Sequence, residues 1–247
     1  MTYCLGILNR AGLVLASDSR SNAGVDQITR VCKLAVMVGT PERVIFVQSA
    51  GNLATTQEVE TQLRQAAGSG EAARDILAAH TMFEVAAAVG ARLREVTDAD
   101  RKFVEPYGDV TATFLVSGQI RGEPPRLFQV YPAGNFVEAG ERSMFLQIGE
   151  TKYGKPILDR ALTLNSSLDE SAKLALLSFD ATIRSNLSVG QPIDLVRYCA
   201  DSFAAVAIDT FEDDTPYWLE LSAAYSLGLA ALVNSLPSPP TAQMGSR

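Results

Sequence analysis

The 247-residue chain is poor in the residues that most enzymes use for acid–base chemistry and metal binding. It has one histidine, His80, three cysteines, Cys4, Cys32 and Cys199, and one tryptophan. A single histidine excludes a multi-histidine metal site. It leaves a Ser-His-Asp or Cys-His mechanism dependent on His80, which lies in Ile76-Leu77-Ala78-Ala79-His80-Thr81-Met82-Phe83. That stretch reads as a helix start or the loop before it, with a partly buried histidine. The cysteines form no CxxC pair, so neither a disulfide framework nor a zinc signature is present. The ~20 consecutive apolar residues of a membrane span are missing, and so is a basic leader followed by an apolar run. A soluble, cytoplasmic protein is the expectation. The net charge of −7 argues against nucleic acid as a partner. No GxxxxGK[ST] loop occurs, so no ATP site is expected in this chain. No cofactor and no metal are implied. Hydrolytic chemistry would have to come from carboxylates, lysine or the N-terminus.

What is present at the N-terminus is Met1-Thr2-Tyr3-Cys4. Removal of Met1 would expose Thr2, and a small second residue is what methionine aminopeptidases accept. A free N-terminal threonine carries a hydroxyl and an α-amine on adjacent carbons, a nucleophile and its base in one residue. The amine, with a reference pKa of about 7.7–8.0, is well placed to take the hydroxyl proton near neutrality.

Residues 2–9 and 13–18 read as two strands joined at Asn9-Arg10-Ala11-Gly12, a hairpin. Such a hairpin returns Asp18 beside Thr2. Ser19 to Gln27 reads as a loop. Residues 28–39 read as a third strand containing Lys33, where a lysine on its own is expected to face solvent. Residues 43–49 form a fourth. Helices are expected over 52–68 and 80–97, strands over 110–118, 125–131, 136–138 and 144–148, and helices over 155–163 and 168–186. The second of these opens at Leu168-Asp169-Glu170-Ser171, a helix start of the capping kind. Two strands near Leu195 and Val206-Ala207-Ile208 follow, then a helix over 216–235. Two strand blocks separated by helix pairs predict an α+β fold, a four-layer α/β/β/α sandwich of two antiparallel sheets. One domain is expected over 1–236, with a flexible Pro/Ser-rich tail at 237–247.

This order, together with Thr2-Tyr3-Cys4, Ala16-Ser17-Asp18-Ser19-Arg20, Ser49-Ala50-Gly51-Asn52-Leu53 and Ile148-Gly149-Glu150-Thr151-Lys152-Tyr153-Gly154, resembles the proteasome-type N-terminal nucleophile hydrolases. Within them it resembles most the Anbu branch, the bacterial ancestral β subunits. The resemblance implies a threonine peptidase or amidohydrolase acting through an acyl-enzyme on a peptide or amide. It makes Thr2 the nucleophile, Asp18 its acidic partner, Lys33 the catalytic lysine and Gly51 the oxyanion donor. Ser188 becomes a serine hydrogen-bonding near the threonine amine. Ser21, Val31, Ser49 and Leu53 would line the first specificity pocket, whose small and apolar lining favours an uncharged side chain.

The same resemblance implies assembly into a homo-oligomer; Ala86-Ala87-Ala88-Val89 and Leu227-Gly228-Leu229-Ala230-Ala231-Leu232 fit buried interfaces, and an internal core nearly as well. The chain departs from the pattern in three places. The Thr2–Lys33 spacing is one residue short, which a bulge in the third strand would absorb. Ser185 stands where an aspartate is usual, and Glu150 where a small serine is. The alternatives are a non-catalytic assembly subunit, and an amidase or acyl transferase acting on a small amide.

Overall fold

A computed structural model describes residues 2–22, 28–71 and 74–240. Met1 and residues 241–247 of the expected tail lie outside the described residues. Among the described residues, twelve strands and five helices follow one another along the chain. The chain opens on a hairpin of β1 (Tyr3–Asn9) and β2 (Gly12–Asp18), with Cys4 opposite Ser17. The turn closes because the Asn9 side-chain oxygen accepts the amides of Ala11 and Gly12, at 2.9 and 3.2 Å. Gly12 has φ +138°, and a Cβ there would overlap the Tyr198 carbonyl, so the turn needs glycine.

β10 (Phe145–Gly149) flanks β1, and β11 (Ile193–Cys199) flanks β2. With β12 (Asp209–Phe211) they make a five-stranded sheet in the order β10-β1-β2-β11-β12. A second five-stranded sheet runs β5-β6-β7-β8-β9. It comprises β5 (Leu34–Thr40), β6 (Arg43–Gly51), β7 (Ala112–Ile120), β8 (Arg126–Val130) and β9 (Phe136–Glu138). Every neighbouring pair in both sheets is antiparallel.

Three apolar layers follow from the alternation of side chains along the strands. Between the sheets lie Leu13, Leu15, Phe46, Leu115 and Tyr198. The outer face of the second sheet packs Val47, Phe114 and Phe128 against α1 (Leu53–Ala66) and α2 (Met82–Val104). The outer face of the first packs Tyr3, Leu5 and Val14 against α3 (Lys155–Ala161), α4 (Leu168–Ser185) and α5 (Pro216–Ser235). The expected four-layer α/β/β/α sandwich is the observed arrangement. The expected cap on α4 is present as a reciprocal Ser167–Glu170 box. Among the described residues, no helix is long and apolar enough to cross a membrane.

Several local expectations are corrected. The single strand over 28–39 is two, β4 (Ile28–Arg30) and β5, and β4 pairs with β3 (Arg20–Asn22) in a separate ribbon where a loop was expected. Lys33 therefore sits in the link before β5 rather than within a strand. A register irregularity does occur in β5, between Val36 and Val38, but it lies past Lys33 and has no bearing on the Thr2–Lys33 spacing. α2 runs to Val104, past the expected end at 97, because Asp98, Asp100, Arg101 and Lys102 continue the helix on its solvent side. His80 is exposed, one residue before the Thr81 cap of α2. Ala86, Ala88 and Val89 are buried against the second sheet, so that run is core. The 227–232 run on α5 is exposed, with Leu227 at 73% and Leu232 at 53%.

Candidate active site

Thr2 precedes β1, at the edge where the two sheets open towards α1. Its carbonyl accepts the Glu150 amide at 2.7 Å. Gly149, with φ +79°, packs so closely on the Thr2 carbonyl that a Cβ there would overlap it. Tyr3 anchors the same turn from below. Its ring stacks on Phe179 with centroids 4.3 Å apart. Its hydroxyl meets Ser178 Oγ at 2.6 Å and accepts from Gln147 Nε2 at 2.7 Å. Burial pushes the Tyr3 phenol up, against the two hydrogen bonds, which favour its ionised form.

The hairpin places the end of β2 as its register requires. Asp18 Oδ1 accepts the Tyr3 amide at 2.9 Å and the Lys33 ammonium at 2.8 Å. Lys33 Nζ also donates to the Arg20 carbonyl at 2.5 Å. The pair is buried, with side-chain exposures of 6% for Lys33 and 0% for Asp18. Lys33 is thus withdrawn from solvent, the opposite of what a lone lysine predicts. Asp18 Oδ2 is buried without a hydrogen-bond partner among the described residues. Burial pushes the Asp18 carboxyl above its usual range, opposed by Lys33 and by the Tyr3 amide. A carboxylate held to one cation and one backbone N–H is an anchor that fixes where the ammonium sits.

Thr2, Lys33 and Gly51 line one cavity of about 100 Å³, together with Val31, Ser49 and Leu53. Gly51 ends β6 with φ +119°, and a Cβ there would overlap the Thr111 carbonyl. Only glycine takes this conformation cheaply, which leaves its backbone open to the cavity. Asn52 starts α1 directly afterwards, its side chain accepting the Ala54 and Thr55 amides. Ser21 lies on β3, and its side chain falls outside the described ones.

Ser188 is not on this cavity. It lines a neighbouring one of about 520 Å³ with Gly149, Glu150, Ser185 and Asn186. Its amide donates to Asn186 Oδ1 at 3.0 Å, while Asn186 Nδ2 donates to Glu150 Oε2 at 2.9 Å. Glu150 Oε1 accepts the Lys152 amide at 2.8 Å. Glu150, 7% exposed, therefore ties the Thr2 carbonyl to the turn that carries Ser188. The two residues that depart from the family pattern, Ser185 and Glu150, share a cavity wall.

Five residues of the Thr2 cavity were not among those the sequence singled out: Cys32, Ala50, Thr56, Gln57 and Glu60. Three of them could have been found. Counted from Leu53, Thr56, Gln57 and Glu60 fall at the third, fourth and seventh positions, one face of a helix. Glu60 is half-buried, and Ser49 Oγ donates to its Oε1 at 3.2 Å. A carboxyl group therefore lies among the wall residues, beside the small and apolar ones expected. Among the described residues, no group of three or more His, Cys, Asp or Glu could hold a metal ion.

No protein-family model and no curated protein matches the chain. Solved structures do. The helical assembly of the Anbu complex from Pseudomonas aeruginosa is 43% identical, with TM-score 0.91 over 98% of this chain and 99% of that one. Anbu (ancestral beta-subunit) from Yersinia bercovieri is 40% identical, with TM-score 0.90 over 98% of this chain and 100% of that one. An Anbu (Gly-1) mutant from Hyphomicrobium sp. strain MC1 is 42% identical, with TM-score 0.89 over 98% and 100% of the two chains. Identity at this level along almost the whole of both chains, on top of the shared sandwich, means that the chain belongs to the Anbu family of ancestral β-subunits, with the proteasome β-like N-terminal nucleophile fold.

Proposed function

We propose that the protein is an N-terminal threonine hydrolase that cleaves peptide or amide bonds after Met1 has been removed. The observation that carries this reading is the shared cavity of Thr2, Lys33 and Gly51, with Lys33 buried on Asp18. A buried ion pair is a weak source of stability, so a scaffold has little need of one at a chain terminus. A nucleophile does have that need, because a fixed cation lowers the energy of the alkoxide character that develops on the threonine oxygen.

In this mechanism Thr2 Oγ attacks the substrate carbonyl carbon and its proton passes to the free α-amine, directly or through water. The Gly51 backbone N–H faces the developing oxyanion. The C–N bond breaks, the leaving amine takes up the proton, and an ester to Thr2 remains. Water then adds to that ester, releasing the acid and restoring the hydroxyl. Lys33 supplies the positive field throughout, and Asp18 holds it by also gripping the Tyr3 amide. Ser188 acts from the adjacent cavity on the amine side, positioned by Asn186 and Glu150. Retained Met1 would leave the Thr2 nitrogen in a peptide bond and remove the base.

The same family membership, and the helical assembly of the Pseudomonas relative, support self-association. The exposed apolar run on α5 offers a face for it. The test of the catalytic reading is hydrolysis of a panel of peptide amides and small amides by Met1-free protein. Turnover of peptide amides that disappears in Thr2→Ala supports a peptidase. Turnover of small amides alone moves the substrate class, and none of either kind leaves an assembly subunit.

A further inference from the structure

The cavity beside Thr2 has a chemical bias, because a carboxyl group stands among its wall residues. Glu60 reaches it from the second turn of α1, and Val31, Ala50 and Leu53 line the remainder with Ser49, Thr56 and Gln57. Among the described residues, the hydrogen bond to Glu60 comes from Ser49 Oγ onto Oε1, at 3.2 Å. A carboxylate offers about four lone-pair sites, so Oε2 and part of Oε1 are left for something else.

Two cations lie near. Lys33 is on the same cavity, but its ammonium is already held by Asp18 and by the Arg20 carbonyl. Arg64, one turn further along α1, is exposed and is the charged group whose field acts on Glu60. With Lys33 and Asp18 cancelling, Glu60 gives the pocket an excess of negative charge. Burial pushes its carboxyl above the usual range, against Ser49 and Arg64, which favour the ionised form. An ionised Glu60 is therefore short of partners among the described residues, and a cation entering the pocket would supply one.

We propose that this cavity is a side-chain specificity pocket that selects a lysine- or arginine-like residue immediately before the scissile bond, with Glu60 accepting its charged head. Val31, Ala50 and Leu53 suit the methylene stem of such a side chain, and the Glu60 carboxyl suits its ammonium or guanidinium. An acidic side chain would meet Glu60 as a like charge and be rejected. This selection rests on Thr2 being the nucleophile.

Three tripeptide epoxyketones that differ only in that one side chain (arginine, leucine or glutamate) provide the test. They are reacted with the full chain, its Met1 removed, and the rate of adduct formation at Thr2 is followed by intact mass. The expected order is arginine, then leucine, then glutamate, with about tenfold between the first two, in line with a partly screened charge pair. In Glu60→Gln the arginine rate should fall about tenfold, to the leucine rate, while the leucine rate stays within about twofold. The amide can still accept from Ser49, and the retained leucine rate reports that the site is folded. Adducts that form with no arginine preference, or an arginine preference that survives Glu60→Gln, would overturn the assignment of Glu60 and leave Thr2 as nucleophile. No adduct with any of the three would remove the nucleophile and the pocket's role with it.

Discussion

Replacing Lys33 by methionine removes the charge but keeps most of the length and apolar stem. At 2.8 Å from Asp18 Oδ1, with an effective dielectric of about 20, the lost attraction is about 6 kcal/mol. Most of that was offset by taking both ions out of water, so the net cost of deleting one partner of such a pair is about 3–5 kcal/mol. The variant can recover part of it by protonating Asp18, whose carboxyl burial already holds above its usual range.

The sign of the pH dependence follows from that shift. A carboxyl whose folded pKa is raised binds more protons folded than unfolded, so its contribution to stability falls as pH rises through the window between the two values. Without Lys33 that window widens upward. The deficit of Lys33→Met against the native chain should therefore shrink on going from about pH 8 to about pH 5, read from paired urea titrations. Modification of Thr2 by an epoxyketone should slow about 10²–10³-fold, the usual effect of removing a fixed electrostatic group. A variant with an unchanged urea midpoint at both pH values and an unchanged rate would refute the reasoning, because it would mean that the pair neither orders the site nor acts on Thr2.

Two further perturbations probe the frame of the site. Gly51→Ala puts a Cβ against the Thr111 carbonyl at φ +119°; it should cost about 1–3 kcal/mol in thermal unfolding and lower the Thr2 modification rate more than the stability loss accounts for. Asp75 accepts the amides of Gly68, Gly70 and Leu77 at 3.0, 2.9 and 2.8 Å; burial would raise its carboxyl, but these amides outweigh it and hold it below the usual range. Asp75→Asn should destabilise by about 1–3 kcal/mol near neutral pH, and the difference should disappear in acid, since a depressed carboxyl contributes stability that is lost as pH falls through its folded pKa.

The sandwich was readable because its evidence lies close together in sequence. The short apolar runs of β1 and β2, the turn at Asn9–Gly12 and the capping-type helix start at Leu168–Ser171 are local signals, and each produced the element it announced. The hairpin alone put Asp18 beside Thr2. The position of Lys33 was harder, because a lysine near a strand points outward unless something buried claims its charge, and Asp18 does so from fifteen residues away. β3 was missed, and β4 was merged with β5, because three-residue strands carry too few positions to show a period. Ala86 to Val89 and the 227–232 run look equally apolar in sequence. Only packing separates them, since α2 lies across the second sheet while much of α5 stands clear of the first. Glu60 was not legible because a charged residue on a helix face ordinarily points to solvent.

The central claim is that Thr2, freed of Met1, is the nucleophile. The most direct measurement is the intact mass of the purified protein before and after an epoxyketone, with peptide mapping of the product. The account predicts a native mass one methionine short of the full sequence, one adduct per chain located at Thr2, and none in Thr2→Ala. A chain that has lost its methionine and still gains no adduct, or gains it undiminished in Thr2→Ala, would contradict it.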